Sequence, residues 1–295
     1  MAVTAKKKPA TKKVKQAKTT KKTVAKKALV KTKVSSASTN KNVVLDRIRK
    51  FNIFAAISSA AFAVLSVVFM TRETVVANLP YAAKDEFAST DATVFGAAYK
   101  TLCELEVRYL LAFIFGLSAI FSLLLATKLR SRYNAQLAKS VSFLRWIFTA
   151  ISFGLILALT AKLTQVDNAV TLKTISALVL ATVILWIISE QQNRGTKGKM
   201  AHFYLSLLTL FLAIAPVAVS LIASGMYGME WFGWHVYLLV LAVVAGLGFM
   251  AYSQYKIAKS GISAKEYLEL EGRNLSVEYL VKFSVFIILL GAFLK

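Results

Sequence analysis

Cysteine, histidine and proline are scarce in this chain of 295 residues, which has one cysteine, two histidines and three prolines. Cys103 has no second cysteine with which to form an intramolecular disulfide bond, so the chain is not a disulfide-stabilised domain. His202 and His235 are too few for a histidine metal centre, and we therefore expect no metal site. Without disulfide bonds or a metal, the fold has to be stabilised by burial of apolar surface within the protein or by insertion into a membrane.

Acidic residues are almost missing from the first 50 residues, which hold 15 lysines and 2 arginines against one acid, Asp46. This segment has few bulky apolar residues, so it cannot bury enough surface to offset the entropy cost of ordering. It has no apolar run before Val43, which argues against a secretory signal peptide. We predict that residues 1–45 form a disordered, lysine-rich tail and that residues 46–295 form one transmembrane domain.

Long apolar runs dominate the rest of the chain, whose overall apolar content is 57% and mean hydropathy is +0.60. About 20 mostly apolar residues are needed to cross the hydrocarbon core of a bilayer. Each such run is predicted to be a helix, because lipid offers no hydrogen-bond partner to an unpaired backbone group. The seven predicted spans are residues 51–70, 103–127, 141–163, 170–189, 203–223, 234–255 and 275–294.

Basic residues are concentrated in alternate connections between these spans. The basic connections carry Lys128, Arg130, Arg132 and Lys139, then Arg194, Lys197 and Lys199, then Lys256, Lys259, Lys265 and Arg273. Short loops rich in lysine and arginine stay on the cytoplasmic side of a membrane. We therefore predict an all-α, multi-pass integral protein of the plasma membrane or another cellular membrane. Its lysine-rich amino-terminal tail is cytoplasmic and its carboxyl terminus lies outside.

One lysine, Lys282, lies well inside the last apolar segment. A cation at membrane depth costs roughly 2.5–3.5 kcal/mol on insertion scales, so its presence needs a reason. Glu278 lies four residues earlier and therefore on the same helical face. A lysine amine in an apolar pocket can form a Schiff base with an aldehyde. The alternative is a structural ion pair in which each residue lowers the insertion cost of the other.

Short motifs occur in order along the seven spans. They are Phe51-Asn52, Gly116-Leu117-Ser118-Ala119, Arg132-Tyr133, Arg145-Trp146, Glu190, Pro216, Tyr252 and Gln254-Tyr255-Lys256. Together with seven spans, an inside amino terminus and a lysine in the last span, they resemble the heliorhodopsins. The resemblance covers residues 46–294 and implies a seven-transmembrane-helix, rhodopsin-like bundle, with a small β-hairpin within residues 74–101.

The resemblance also implies a cofactor, all-trans retinal, bound through a Schiff base to Lys282. A protonated Schiff base is a buried cation and needs a nearby carboxylate. In the family this counterion lies in the third span, two residues after the Arg-Trp pair, where this chain has Phe148. Glu278, one turn before Lys282, is therefore the candidate for a relocated counterion.

The function implied by the resemblance is a photoreceptor for light sensing or signalling, not an enzyme. Family members tend to be dimers, so we expect a homodimer together with a signalling partner that the sequence does not identify. Ion pumping needs a continuous series of polar or ionisable residues through the bundle. The span interiors offer mostly serine and threonine, such as Ser118 and Thr160, which disfavours transport.

The runner-up function is a retinal-free membrane scaffold whose basic tail tethers a polyanion. A disordered polybasic segment beside a cytoplasmic membrane face is attracted to anionic lipid by about 1 kcal/mol per basic residue. Nucleic acid is the other candidate, because lysines can neutralise its phosphates. Anionic lipid is favoured.

For three further charged residues of the spans, we predict a structural role and not a functional one. We expect Arg145, near the inner end of the third span, to be a surface anchor, with contact to an inner polar cavity as the alternative. We expect Glu104 and Arg108, four residues apart near the outer end of the second span, to form an interfacial ion pair along a helix, with the arginine stem covering apolar surface.

Overall fold

The computed structural model describes residues 42–84, 95–192, 200–228, 232–260 and 262–294. The elements in chain order are helix α1 (Asn42–Phe69), strands β1 (Thr74–Lys84) and β2 (Phe95–Glu106), and helices α2 (Val107–Ala126), α3 (Arg130–Ala138), α4 (Phe143–Leu163), α5 (Ala169–Gln192), α6 (Ala201–Tyr227), α7 (Trp234–Ser260) and α8 (Ala264–Phe293). Most of the predicted tail, residues 1–41, lies outside the described residues. Residues 42–45 form the first turn of α1.

Seven of the described helices, all but α3, are long and apolar enough to cross a membrane. The prediction of a seven-span, all-α membrane protein is therefore confirmed, and the chain is an integral, multi-pass membrane protein. Residues Arg47–Lys295 form one compact unit, and the contacts described below lie within it.

The ends of the spans show how the chain runs. The Thr71 amide at the end of α1 donates to the Phe293 carbonyl at the end of α8, over 2.8 Å. At the opposite ends of the helices, the Tyr133 hydroxyl of α3 donates to Glu271, near the start of α8, over 2.6 Å. Successive spans therefore alternate in direction. We call the end that contains α3 the inner end, because its connections are the basic ones that predict a cytoplasmic side.

The two strands form an antiparallel hairpin at the outer end. Its register runs from Thr74 opposite Glu106 to Lys84 opposite Phe95, with a bulge between Ala77 and Asn78. The Asn78 amide donates to the Asp167 carbonyl in the α4–α5 connection over 2.8 Å. The hairpin is thus fixed to the outer end of the bundle as well as to the two helices that it joins.

The hairpin overturns two expectations about the second span. Residues 103–106 belong to β2, so the span begins at Val107 and not at residue 103. Glu104 therefore lies in a strand, and the predicted helical pair of Glu104 with Arg108 is wrong. Arg108 instead contacts Glu106, with 2.5 Å between Nε and Oε2. Strand pairing with β1 extends up to Glu106 and delays the start of the helix.

The last span is longer than predicted, since α8 starts at Ala264 and not at residue 275. Ser263 and Glu266 form a capping box in which the serine side chain accepts from the Glu266 amide and Glu266 accepts from the Ser263 amide. Such a box satisfies two amide groups at a helix start. The additional inner turns of α8 carry Tyr267 and Glu271, and both side chains are buried.

The spans bury their apolar faces against one another in one core. Phe62 of α1 stacks on Phe286 of α8 with 4.4 Å between ring centroids, and Phe115 of α2 meets Phe286 edge to face at 5.8 Å. Helix α7 approaches α8 closely at Gly246, where a Cβ atom would lie only 2.2 Å from Cγ2 of Val281. Val281 directly precedes Lys282, so this contact fixes the part of α8 that carries the lysine.

We expect Gly246→Ala to lower the thermal unfolding midpoint of the detergent-solubilised protein. The new methyl group would overlap Val281, a β-branched residue with one preferred rotamer in a helix, and overpacking of this kind costs about 1–3 kcal/mol. Gly248→Ala is the matched control, because nothing lies within 4 Å of a Cβ atom at that position. Equal midpoints for the two variants would contradict the close approach.

Candidate functional site

Lys282 and Glu278 form a buried ion pair in the last span, as their spacing predicts. The Lys282 ammonium donates to Oε1 of Glu278 over 2.7 Å. The two residues are only 6% and 9% exposed, respectively. Removal of Glu278 would leave the Lys282 ammonium without the carboxylate that compensates it.

The second carboxylate oxygen of Glu278 faces helix α4. The Thr149 hydroxyl donates to Oε2 over 2.7 Å, and Nη1 of Arg145 lies 3.7 Å from the same oxygen. Glu278 therefore links a lysine on its own helix to two residues of a neighbouring span. The Glu278 carboxylate therefore helps to balance the charges of two buried cations, Lys282 and Arg145.

Arg145 is 1% exposed, so its predicted role as a surface anchor is wrong. Its Nε donates to Oε1 of Glu271 over 2.6 Å, and its guanidinium lies 3.7 Å from the centre of the Trp146 ring. The anchor interpretation failed because the inner turns of α8, assigned to a loop from the sequence, bring Glu271 into the bundle. Arg145 lies between two carboxylates of α8, Glu271 and Glu278.

Glu271 extends the charged cluster to the short inner helix α3. Its Oε1 also accepts from the Tyr133 hydroxyl over 2.6 Å, and its Oε2 accepts from the Ser142 hydroxyl over 3.2 Å. Burial, followed by the charge of Glu271, raises the pKa of Tyr133 well above its ordinary value. Tyr133 therefore stays protonated at physiological pH and acts as a donor.

A third buried carboxylate, Glu190 at the inner end of α5, adjoins this cluster. Trp146 Nε1 and Gln254 Nε2 each donate to its Oε1 over 2.8 Å. The Tyr267 hydroxyl lies 3.0 Å from Oε2 of Glu190 and 2.9 Å from the Ser142 hydroxyl. Buried polar contacts thus continue from Lys282 to the inner ends of α3, α4, α5, α7 and α8.

Sequence reasoning missed Glu271 as a site residue, although a signal for it existed. Glu271, Glu278 and Lys282 are separated by seven and four residues, and at 3.6 residues per turn all three lie within about 20° of one line along a helix. The assigned start of the last span at residue 275 excluded Glu271 from that pattern. The long-range partners Tyr133, Tyr267 and Gln254 carry no comparable sequence signal.

A polar cavity of about 20 Å³ lies beside the ion pair. Its walls include Asn52, Ser118, Phe121, Ser122, Leu125, Arg145, Phe148, Ser152, Leu275, Glu278 and Lys282. Asn52 is 2% exposed, and its Nδ2 has no hydrogen-bond partner among the described residues. This volume holds about one water molecule, and the walls supply the polar partners that a buried water needs.

Phe148, which occupies the position expected for a counterion, is part of this cavity wall. Its ring stacks on Phe121 with 4.2 Å between centroids and an interplanar angle of 6°. An apolar aromatic contact thus replaces a carboxylate on α4. The carboxylate nearest to Lys282 among the described residues comes instead from α8, as Glu278.

We expect Arg145→Met to destabilise the protein strongly, because it leaves the buried Glu271 without its cation. Breaking a buried ion pair from one side costs about 3–5 kcal/mol. The midpoint of thermal unfolding in detergent, followed by tryptophan fluorescence, measures the loss. Adding Glu271→Gln to Arg145→Met should restore part of the stability, since it removes the uncompensated charge. A single variant as stable as the wild type would contradict the burial of this pair.

Comparison with known proteins is consistent with this architecture. The family model described as heliorhodopsin matches residues 48–268, a stretch that ends before Glu278 and Lys282. No curated protein matches the chain.

A similar solved structure is the transmembrane domain of a rhodopsin phosphodiesterase from Salpingoeca rosetta. It has 11% sequence identity and a TM-score of 0.57, and the match covers 87% of each chain. At this identity the likeness shows the fold alone, that of a rhodopsin transmembrane domain. The family match covers most of the chain, which therefore belongs to the heliorhodopsin family.

Proposed function

We propose that this protein is a retinal-binding photoreceptor that senses light and signals, rather than an ion pump or an enzyme. Lys282 holds all-trans retinal and Glu278 is the counterion. The observation that carries the proposal is a buried amine paired with a carboxylate inside the last span of a heliorhodopsin-family bundle.

The residues around Lys282 fit the nitrogen end of such a cofactor. The Lys282 nitrogen is buried, and a carboxylate lies 2.7 Å away to balance a positive charge on it. The adjacent cavity suits a water molecule, so it serves this polar end and is too small for a polyene. When bound, retinal supplies the absorption of visible light and an isomerisation.

The distribution of buried polar groups favours signalling over pumping. Inward from Lys282, the ion pairs and hydrogen bonds reach Tyr133 on α3 through Glu278, Arg145 and Glu271. Outward from Lys282, α8 buries the apolar side chains Val285, Phe286 and Leu289. A pump needs polar groups on both sides of its site. Among the described residues of α8, the polar contacts of Lys282 therefore lead inward, toward α3.

The oligomeric state and the partners belong to the same proposal. A homodimer and a cytoplasmic signalling partner are expected from the family. The lysine-rich segment, residues 1–41, would bind anionic lipid of the cytoplasmic leaflet, because a segment with this charge is attracted to such a surface.

We expect the purified protein, incubated with all-trans retinal, to develop a visible absorption band beyond that of free retinal. Lys282→Ala should abolish the band, because it removes the amine that attaches the aldehyde. Lys162→Ala is a matched control, since Lys162 pairs with Asp167 at the outer end of α4. The absence of a band in the wild type would reject the photoreceptor and favour the retinal-free scaffold.

The same spectra test the counterion. Glu278→Gln should still form a pigment, but its band should move to longer wavelength and disappear at a lower pH than in the wild type. Loss of the carboxylate removes the charge that stabilises a protonated nitrogen. An unchanged band and an unchanged pH midpoint would assign the counterion to another group.

For the basic segment, we expect the full chain in neutral-lipid nanodiscs to capture anionic vesicles, with capture weakening as salt rises. Deletion of residues 1–41 should abolish capture. Vesicles without anionic lipid provide the control. DNA binding that survives competition from anionic vesicles would instead identify nucleic acid as the partner.

A further inference from the structure

We propose that Thr149 is the positioning residue that directs the Glu278 carboxylate toward Lys282 and holds Arg145 away from it. This inference rests on the function proposed above, because it concerns how the counterion is fixed. The residue lies next to Phe148 on α4, the helix that carries the counterion elsewhere in the family.

Glu278 needs a contact with another helix to have a fixed direction. Lys282 and Glu278 both belong to α8, and two long side chains on one helix can move together without losing their mutual contact. Thr149 lies on α4, and its hydroxyl donates to Oε2 of Glu278 over 2.7 Å, the distance of a hydrogen bond to a charged acceptor. It is the shortest contact that Glu278 makes outside its own helix among the described residues.

Of the two charged side chains that contact the Thr149 hydroxyl, only Glu278 can accept its proton. Arg145 Nη1 lies 3.5 Å from Oγ1 of Thr149 and is a donor that cannot accept. A hydroxyl has a single proton, so the proton of Thr149 is directed to Glu278 while its lone pairs face the guanidinium. Arg145 thereby orients Thr149, and Thr149 in turn orients Glu278.

Thr149 also separates two cations that compete for one carboxylate. With the hydroxyl in place, Arg145 Nη1 is 3.7 Å from Glu278, whereas Arg145 Nε is 2.6 Å from Glu271. Lys282 keeps the close contact with Glu278. Threonine is neutral, so it can donate to Glu278 at this position without adding a third positive charge beside Arg145 and Lys282. A lysine or an arginine at this position would add that charge.

The bonding of Thr149 differs from that of another buried threonine on the same helix. The Thr160 hydroxyl donates to the Ile156 carbonyl one turn earlier, over 2.8 Å, as threonines in helices commonly do. Thr149 donates to a side chain of another helix instead. Thr160 therefore provides a matched control, with the same residue type, helix and burial but no contact with the site.

The test compares Thr149→Val, Thr149→Ser and Thr160→Val. In the reconstituted pigment, Thr149→Val should lower the pH at which the visible band is lost by roughly one unit or more, because Glu278 is no longer directed toward the nitrogen of Lys282 and stabilises its positive charge less. Thr149→Ser should restore the wild-type midpoint, since it keeps the hydroxyl. Thr160→Val should leave the midpoint unchanged.

A second measurement uses the protein without retinal. The infrared carboxylate band of Glu278, isolated by subtraction of the Glu278→Gln spectrum, should move in Thr149→Val and return in Thr149→Ser. If no variant or wild type forms a pigment, the photoreceptor fails but this band still decides the role of Thr149. A Glu278 band that is the same in Thr149→Val as in the wild type would overturn the proposal.

Discussion

Buried charge is the constraint on which the rest of this bundle depends. Two cations, Lys282 and Arg145, lie within or near the apolar interior, and each must keep a carboxylate within a few ångströms to remain charged there. Glu278 and Glu271 provide that compensation from α8. Because Arg145 belongs to α4, the charges also fix the position of one span against the other.

This arrangement makes the bundle asymmetric. The inner half holds ion pairs, tyrosine hydroxyls and the Glu190 cluster, while the core around Phe62, Phe115 and Phe286 is apolar and aromatic. The outer end is completed by the hairpin, which contacts the α4–α5 connection through backbone hydrogen bonds. Polar contacts lead from Lys282 through Glu278, Arg145 and Glu271 to Tyr133 of α3 at the inner end.

The sequence predicted the spans well and their polar ends poorly. Hydropathy located all seven helices. A run of about 20 apolar residues in a membrane has to form a helix, because lipid offers its backbone groups no hydrogen-bond partners. It placed the start of the second span inside β2 and the start of the last span after Glu271, since helix ends depend on pairing and capping as well as on apolar content. With the start of α8 placed too late, Glu271 is not recognised as the partner of Arg145, and the sequence predicts a surface position for this arginine.

The number of spans, the basic side of the protein and the pair Lys282–Glu278 can be read from the amino-acid sequence, because they follow from composition and from spacing along one helix. The packing of the helices is what brings Thr149 to Glu278, buries Arg145 between Glu278 and Glu271, and adds Tyr133 of α3 to this cluster. Those contacts join residues that are far apart along the chain. Their geometry depends on how α3, α4 and α8 pack, and no local pattern encodes that packing.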